Sequence, residues 1–173
     1  LQGAYSLVMM DASGLVAARD PYGFRPLSLG TLDGGFVVAS ETCAFDLLGA
    51  SFLRDVEPGE IIEFGKSAPN SRYFTSANQS RLARCIFEYI YFARPDSVVF
   101  GETVHNVRVR LGENLASTWP VEADVVFPVP DSGNSAALGY SRRSRIPLDA
   151  GFIRNHYVGR TFITPAQESR DAG

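Results

Sequence analysis

Two stretches carry residue types that can handle a phosphorylated ligand. The first is Asp131-Ser132-Gly133, which follows the β-prone run 123–127 and the prolines Pro128 and Pro130, and precedes a small-residue segment with helical spacing. At a strand–turn–helix junction, free backbone N–H groups can face an anion, and a hydroxyl or carboxylate can touch a metal ion. An ordinary loop with Asp or Ser as helix cap is the other reading of the same residues. The second stretch, residues 154–167, is cationic and conformationally loose, with Arg142, Arg143 and Arg145 just upstream. Gly159 can serve as a pivot and Arg154, Tyr157 and Arg160 as grips, closing over a phosphorylated substrate and excluding water while the arginines stabilise a departing group. A solvated surface loop is the alternative there.

Other chemistry finds less support. His105 and His156 are too far apart and too isolated for a zinc site. Asp20 and Glu41 read as turn and cap residues rather than as a catalytic carboxylate pair. Cys85 can be a metal ligand or a small apolar residue. Neither the Walker pattern nor G-x-G-x-x-G occurs, which argues against a P-loop nucleotidase and a dehydrogenase.

The elements that must position these residues are of two kinds. The first third reads as an antiparallel meander: residues 4–10 and 15–18 around the turn Asp11-Ala12-Ser13-Gly14, then 24–29 and 36–39 around Asp33-Gly34-Gly35. Ser40 is the expected N-cap of a short helix that Gly49 ends, and residues 52–56 and 60–64 form a further strand pair across Glu57-Pro58-Gly59. A shift to Ser, Asn, Ala and Gln over residues 65–80 marks a candidate domain boundary. Beyond it, residues 85–92 are strongly β-prone. A helix over 104–119 presents Val104, Val107, Leu111 and Leu115 on one face, and strand 123–127, a helix through Leu138 and an apolar 146–148 follow. Alternation of this kind predicts an α/β unit with a parallel sheet covered on both faces.

A chain of 173 residues that is 45% hydrophobic can build a core, and a dispersed net charge of −3 gives no reason to expect nucleic acid or a membrane surface as partner. Lys66 is the only lysine; all other basic residues are arginine, whose planar fork suits phosphate and carboxylate. Cys43 and Cys85, distant in sequence and among apolar neighbours, suggest reduced thiols, so the cytoplasm is the default compartment. No apolar run reaches the length of a membrane span. The chain starts at Leu1 on a strand-like run and stops at Gly173 in a polar one, and both ends read as cuts.

Several blocks, in order, resemble the amidophosphoribosyltransferase family, also called glutamine phosphoribosylpyrophosphate amidotransferases. They are residues 19–27 (RDPYGFRPL), Ala39-Ser40-Glu41, residues 56–60 (VEPGE), residues 85–97 (CIFEYIYFARPDS), the turn Pro128 to Gly133, and residues 155–163 (NHYVGRTFI). The resemblance implies the C-terminal part of an N-terminal-nucleophile glutaminase domain over residues 1–74, a linker over 75–84, and the first half of a type I phosphoribosyltransferase domain over 85–173. It implies transfer of ammonia from glutamine to phosphoribosyl pyrophosphate, giving phosphoribosylamine, pyrophosphate and glutamate, in the first committed step of purine synthesis. Asp131, Ser132 and Gly133 would receive the pyrophosphate, Ser132 would contact magnesium, and Arg154, Tyr157, Arg160 and Thr161 would belong to the loop that orders over the substrate. Cys85 falls where some members hold one of four ligands to a [4Fe–4S] cluster. The terminal nucleophilic cysteine and the paired-aspartate ribose phosphate loop would lie outside this chain, so the chain by itself is expected to be inactive and the intact protein a homo-oligomer. A non-catalytic sensor of phosphoribosylated ligands is the alternative.

Overall fold

The computed structural model describes residues 1–65, 68–74, 81–157, 165 and 167. By contact, the chain divides into two compact units, residues 1–108 and 109–173.

The first unit is built on two antiparallel sheets. Strands β1 (Ser6–Met10), β2 (Leu15–Arg19), β6 (Glu60–Phe64) and β7 (Asn70–Tyr73) run in the order β1-β2-β6-β7. Strands β3 (Ser28–Leu32), β4 (Gly35–Ala39) and β5 (Ser51–Asp55) run in the order β4-β3-β5. The turn between β1 and β2 forms because the Asp11 carboxylate accepts the Ser13 N–H at 2.7 Å and the Gly14 N–H at 3.1 Å.

The expected meander is therefore corrected. The chain changes sheets after β2 and again after β5, so residues 52–56 and 60–64 are not partners: β5 pairs with β3 and β6 with β2. Side-chain chemistry at the crossings accounts for this. Buried Arg19 donates to the carbonyls of Arg25 and Val56, at 2.9 and 2.6 Å, and Asp20 accepts the Tyr22 N–H, so both crossings tie to one polar knot. The core draws Ala17 and Ile62 from one sheet and Leu29 from the other, with Leu27 and Val56 from the crossings. Each such large apolar side chain contributes roughly 1.5–3 kcal/mol when buried.

Helix α1 (Cys43–Leu48) ends at Gly49 in the left-handed region (φ 69°), as its sequence predicts. Its N-cap is Thr42, without a side-chain cap bond, and not Ser40. The side chains of Glu41 and Thr42 are engaged elsewhere.

Residues 85–92 do not form the expected strand. Glu88–Phe92 is a π-helical turn, followed by the two-residue strands β8 (Val98–Val99) and β9 (Glu102–Thr103). Tertiary bonds outweigh β propensity here. Arg108 donates to the carbonyls of Tyr89 and Ala93, and the Tyr89 hydroxyl donates to Val99 O at 2.7 Å.

Helix α2 (Val104–Thr118) appears where the periodicity places it. Its buried positions are Val104, Arg108, Val109, Gly112 and Ala116, whereas Leu111 and Leu115 are exposed. The stripe of apolar residues read from sequence is thus displaced around the helix.

Small residues explain the displacement in the second unit. Helix α3 (Asn134–Ser144) crosses α2 so closely that a Cβ on Gly112 would overlap the carbonyl of Ala136, and one on Gly139 would overlap that of Val109. Tyr140 Oη donates to Trp119 O at 3.0 Å, and Arg143 Nε to Ser117 Oγ at 2.8 Å, along the same seam.

The expected strand 123–127 is reduced to one parallel bridge, Val126 to Leu148, made by Val126 N–H to Pro147 O (2.8 Å) and Asp149 N–H to Val126 O (3.0 Å). A strand extends only as far as its neighbour does, and among the described residues only this segment lies beside it. The architecture is mixed α/β. Among the described residues no helix is long and apolar enough to cross a membrane.

Candidate functional site

The site is assembled in the second unit from the C-terminal sides of the bridged segments. The parallel bridge sends Pro128–Asp131 and Asp149–Arg154 away from the same edge, the place where open α/β sheets bind ligands. An edge-to-face contact between Phe127 and Phe152, with centroids 5.4 Å apart, holds the two segments together. Gly151 lies so close under the Phe127 ring that a Cβ there would collide with it.

Between these segments is an open groove of about 580 Å³ lined by Pro128, Pro130, Asp131, Asn134, Leu148, Asp149, Ala150, Phe152, Ile153, Arg154 and His156. Asp131 and Arg154, 23 residues apart, meet across it: Arg154 Nη1 lies 2.6 Å from Asp131 Oδ2, both side chains being about half exposed. Two residues singled out from sequence for the same ligand are thereby joined by charge. Exposed pairs of this kind contribute only about 0–1 kcal/mol to stability, so the value of this one lies in orientation.

The turn itself is tight. Gly133 N–H bonds Val129 O at 3.2 Å and Asn134 N–H bonds Asp131 O at 3.2 Å, and the peptide between Pro130 and Asp131 is cis. A Cβ on Gly133 would sit 2.7 Å from Val129 O, so glycine is required there by space. Helix α3 then starts with Gly133 as its N-cap and with no side-chain cap bond. Asp131 and Ser132 are therefore not the capping residues that an ordinary loop would make of them. Ser132 is exposed on the turn at the positive end of α3.

Not every expected residue joins the groove. Tyr157 is fully exposed, its N–H held by Asn155 Oδ1 at 3.0 Å in a local turn. Arg160 and Thr161 lie outside the described residues. Cys85 belongs to the first unit, where its N–H bonds Phe24 O at 3.0 Å. Asp149 was not singled out from sequence, and neither was the ring of Phe152. The signal for Asp149 was its place directly after the apolar run 146–148, at the end where a parallel strand delivers functional side chains.

The hydroxyl of Ser132 and the carboxylates of Asp131 and Asp149 are hard oxygen donors of the kind magnesium takes in small number, completing its shell with phosphate and water. An iron–sulfur cluster does not fit this chain on its own: four thiolates are needed, the chain has two cysteines, and the Cys43 thiol faces the Glu41 carboxylate at 3.7 Å. Among the described residues no three His, Cys, Asp or Glu side chains cluster as a metal site.

No family model matches the chain. Over its full length it is 52% identical to an amidophosphoribosyltransferase of Rhizobium etli, of which it covers 36%. It is 51% identical to the amidophosphoribosyltransferase of Mycobacterium tuberculosis, covering 32% of that protein, and 53% identical to the chloroplastic amidophosphoribosyltransferase of Glycine max, covering 30%. Among solved structures, the glutamine phosphoribosylpyrophosphate amidotransferase from B. subtilis complexed with ADP and GMP matches with a TM-score of 0.88 at 48% identity, over 99% of this chain and 37% of that one. A structure described as the allosteric regulatory enzyme of purine biosynthesis matches equally, with a TM-score of 0.88 at 48% identity. The chain spans about a third of the length of the curated relatives it matches.

Proposed function

From its homology to amidophosphoribosyltransferases along its whole length, we propose that this chain is the stretch of such an enzyme that carries half of the phosphoribosyl pyrophosphate site. The intact protein would transfer ammonia from glutamine to phosphoribosyl pyrophosphate, giving phosphoribosylamine, pyrophosphate and glutamate, as an entry step of purine synthesis. Residues 1–74 would belong to its glutaminase part, 75–84 to a linker and 85–173 to its transferase part.

The observation that carries this reading is the Asp131–Arg154 pair across the groove, at the positive end of α3. The pyrophosphate group of the substrate would displace Asp131 as the partner of Arg154, exchanging one oxyanion for another at little cost. The turn amides around Gly133 would take the phosphate oxygens. Magnesium, held at Ser132 beside Asp131, would neutralise charge on the pyrophosphate as it departs. Arg160 and Thr161, with Tyr157, would close over the substrate and exclude water, so that ammonia rather than water meets the anomeric carbon. Proton transfer has a small part in this scheme, and positioning a large one.

The test is made on the full reading frame. Pyrophosphate release from phosphoribosyl pyrophosphate should require glutamine or ammonia. Arg160→Ala should lower it on the order of a hundredfold while glutamine hydrolysis persists. Unchanged transfer kinetics would remove Arg160 from the site, and binding of phosphoribosyl pyrophosphate without turnover in the parent would favour a sensor over an enzyme.

A further inference from the structure

Glu41 stands at the corner between β4 and α1, and its carboxylate is spent on a distant turn. Oε2 accepts the backbone N–H of Arg94 at 2.7 Å and the hydroxyl of Ser97 at 2.8 Å. The neighbouring Thr42 Oγ1 accepts the N–H of Val98 at 2.8 Å. The Arg94 guanidinium turns away to Asp96, at 2.8 Å, and no cation forms an ion pair with Glu41 among the described residues. Ser97 is fully buried, and the turn is held from behind by Val104 N–H to Ser97 O and His105 N–H to Pro95 O.

Further contacts run between residues 19–25 and residues 83–100. Arg25 pairs with buried Glu88 and lies 4.2 Å over the Phe92 ring. Ala83 N–H bonds Tyr22 O at 2.9 Å, Cys85 N–H bonds Phe24 O at 3.0 Å, and Arg19 lies over the ring of Phe100. Apolar packing would join two segments more cheaply than a half-buried carboxylate that makes no direct ion pair. Directional bonds from one carboxylate instead fix a single register, which can be held or released as a unit.

We propose that Glu41 is a positioning residue that makes the corner before α1 and the turn 94–97 move as one, and so couples release of ammonia from glutamine to its use on phosphoribosyl pyrophosphate. This rests on the functional reading above, in which the corner belongs to the glutaminase part and the turn to the transferase part.

The experiment uses the full-length enzyme and compares phosphoribosylamine formation driven by glutamine with formation driven by added ammonia. Glu41→Ala should leave the ammonia-driven rate within about twofold of wild type and lower the glutamine-driven rate about tenfold, in the range of typical coupling between sites. Glu41→Gln, which keeps an acceptor oxygen, should restore most of the ratio. An unchanged ratio in Glu41→Ala, or an equal fall in both rates, overturns the role. Should that variant not fold, Ser97→Ala removes the hydroxyl bond to Glu41 and should move the ratio in the same direction, no movement again counting against the proposal. Hydrogen exchange gives an independent reading: Glu41→Ala should speed exchange at both Arg94 and Val98, and faster exchange at Arg94 alone means the corner and turn do not move together. A wild type without either activity sinks the functional reading itself, whereas an active wild type with an unmoved ratio sinks only the part assigned to Glu41.

Discussion

Two buried glutamates show how the same side chain can titrate in opposite senses. Burial alone would raise the pKa of Glu60, but bonds from Arg54 (2.7 Å), Ser71 and the Glu57 N–H more than offset it, and the carboxyl is held below its ordinary value. Burial raises Glu88, and Arg25 only partly counters it. A depressed folded-state pKa contributes stability that is present above the unfolded value, about 4.3, and lost as pH falls through the folded one; a raised pKa contributes stability present below about 4.3 and lost as pH rises through the folded value. Glu60→Gln should therefore cost about 2 kcal/mol at neutral pH, the worth of a bond to a charged group, and the cost should shrink under acid. Glu88→Gln should become less unfavourable relative to the native side chain as pH rises from acid toward neutral. Urea titrations of both variants across that range check the opposed slopes, and parallel slopes would refute the assignment. None of this was legible in the sequence, because Glu60 and Glu88 sit among apolar residues where a charge reads as an exposed edge or an interruption, and their partners come from Arg54 and Arg25 through the fold.

The elements were legible where local pattern and tertiary demand agree. The hairpin turn at Asp11, the stop at Gly49 and the span of α2 follow from turn chemistry and 3.6-residue spacing. The face of α2 was not legible by weighing hydrophobicity, since the contact is made by Gly112 and Ala116 while Leu111 and Leu115 stay exposed. The pair Gly112 and Gly139 allows two backbones to touch, a feature that apolar scales pass over. Helix propensity alone makes Gly139→Ala stabilising by about 1 kcal/mol. Collision with the Val109 carbonyl decides the sign instead, and the variant should lose about 3 kcal/mol, as overpacked sites do, visible as a lower unfolding midpoint. The run 85–92 failed as a strand for a complementary reason. Its β-branched and aromatic residues favour extension, but Arg108 collects the carbonyl of Tyr89 within it and that of Ala93 just after it, where the π turn ends.

At the scale of the whole molecule, both units leave apolar side chains uncovered. Ile86, Phe87, Tyr91 and Phe92 in the first unit, and Trp119, Val121 and Val129 in the second, are all near half exposed or more. Exposed apolar side chains favour association, so this 173-residue chain produced on its own should self-associate with rising concentration in sedimentation velocity, a single concentration-independent species being the contrary result. The mixed α/β reading follows from the order of elements, whereas the two-sheet arrangement of the first unit does not, because hairpin grammar describes neighbours in sequence and the crossings at Arg19 and Val56 are decided by a buried guanidinium. The glycine crossing of α2 and α3 also bears on heredity. Every amino acid reachable from a glycine codon by one base change carries a Cβ, so no single-step missense mutation at Gly112 or Gly139 is silent to the packing. Lineages that keep this fold can drift at the exposed leucines of α2 far more freely than at its two smallest contacts.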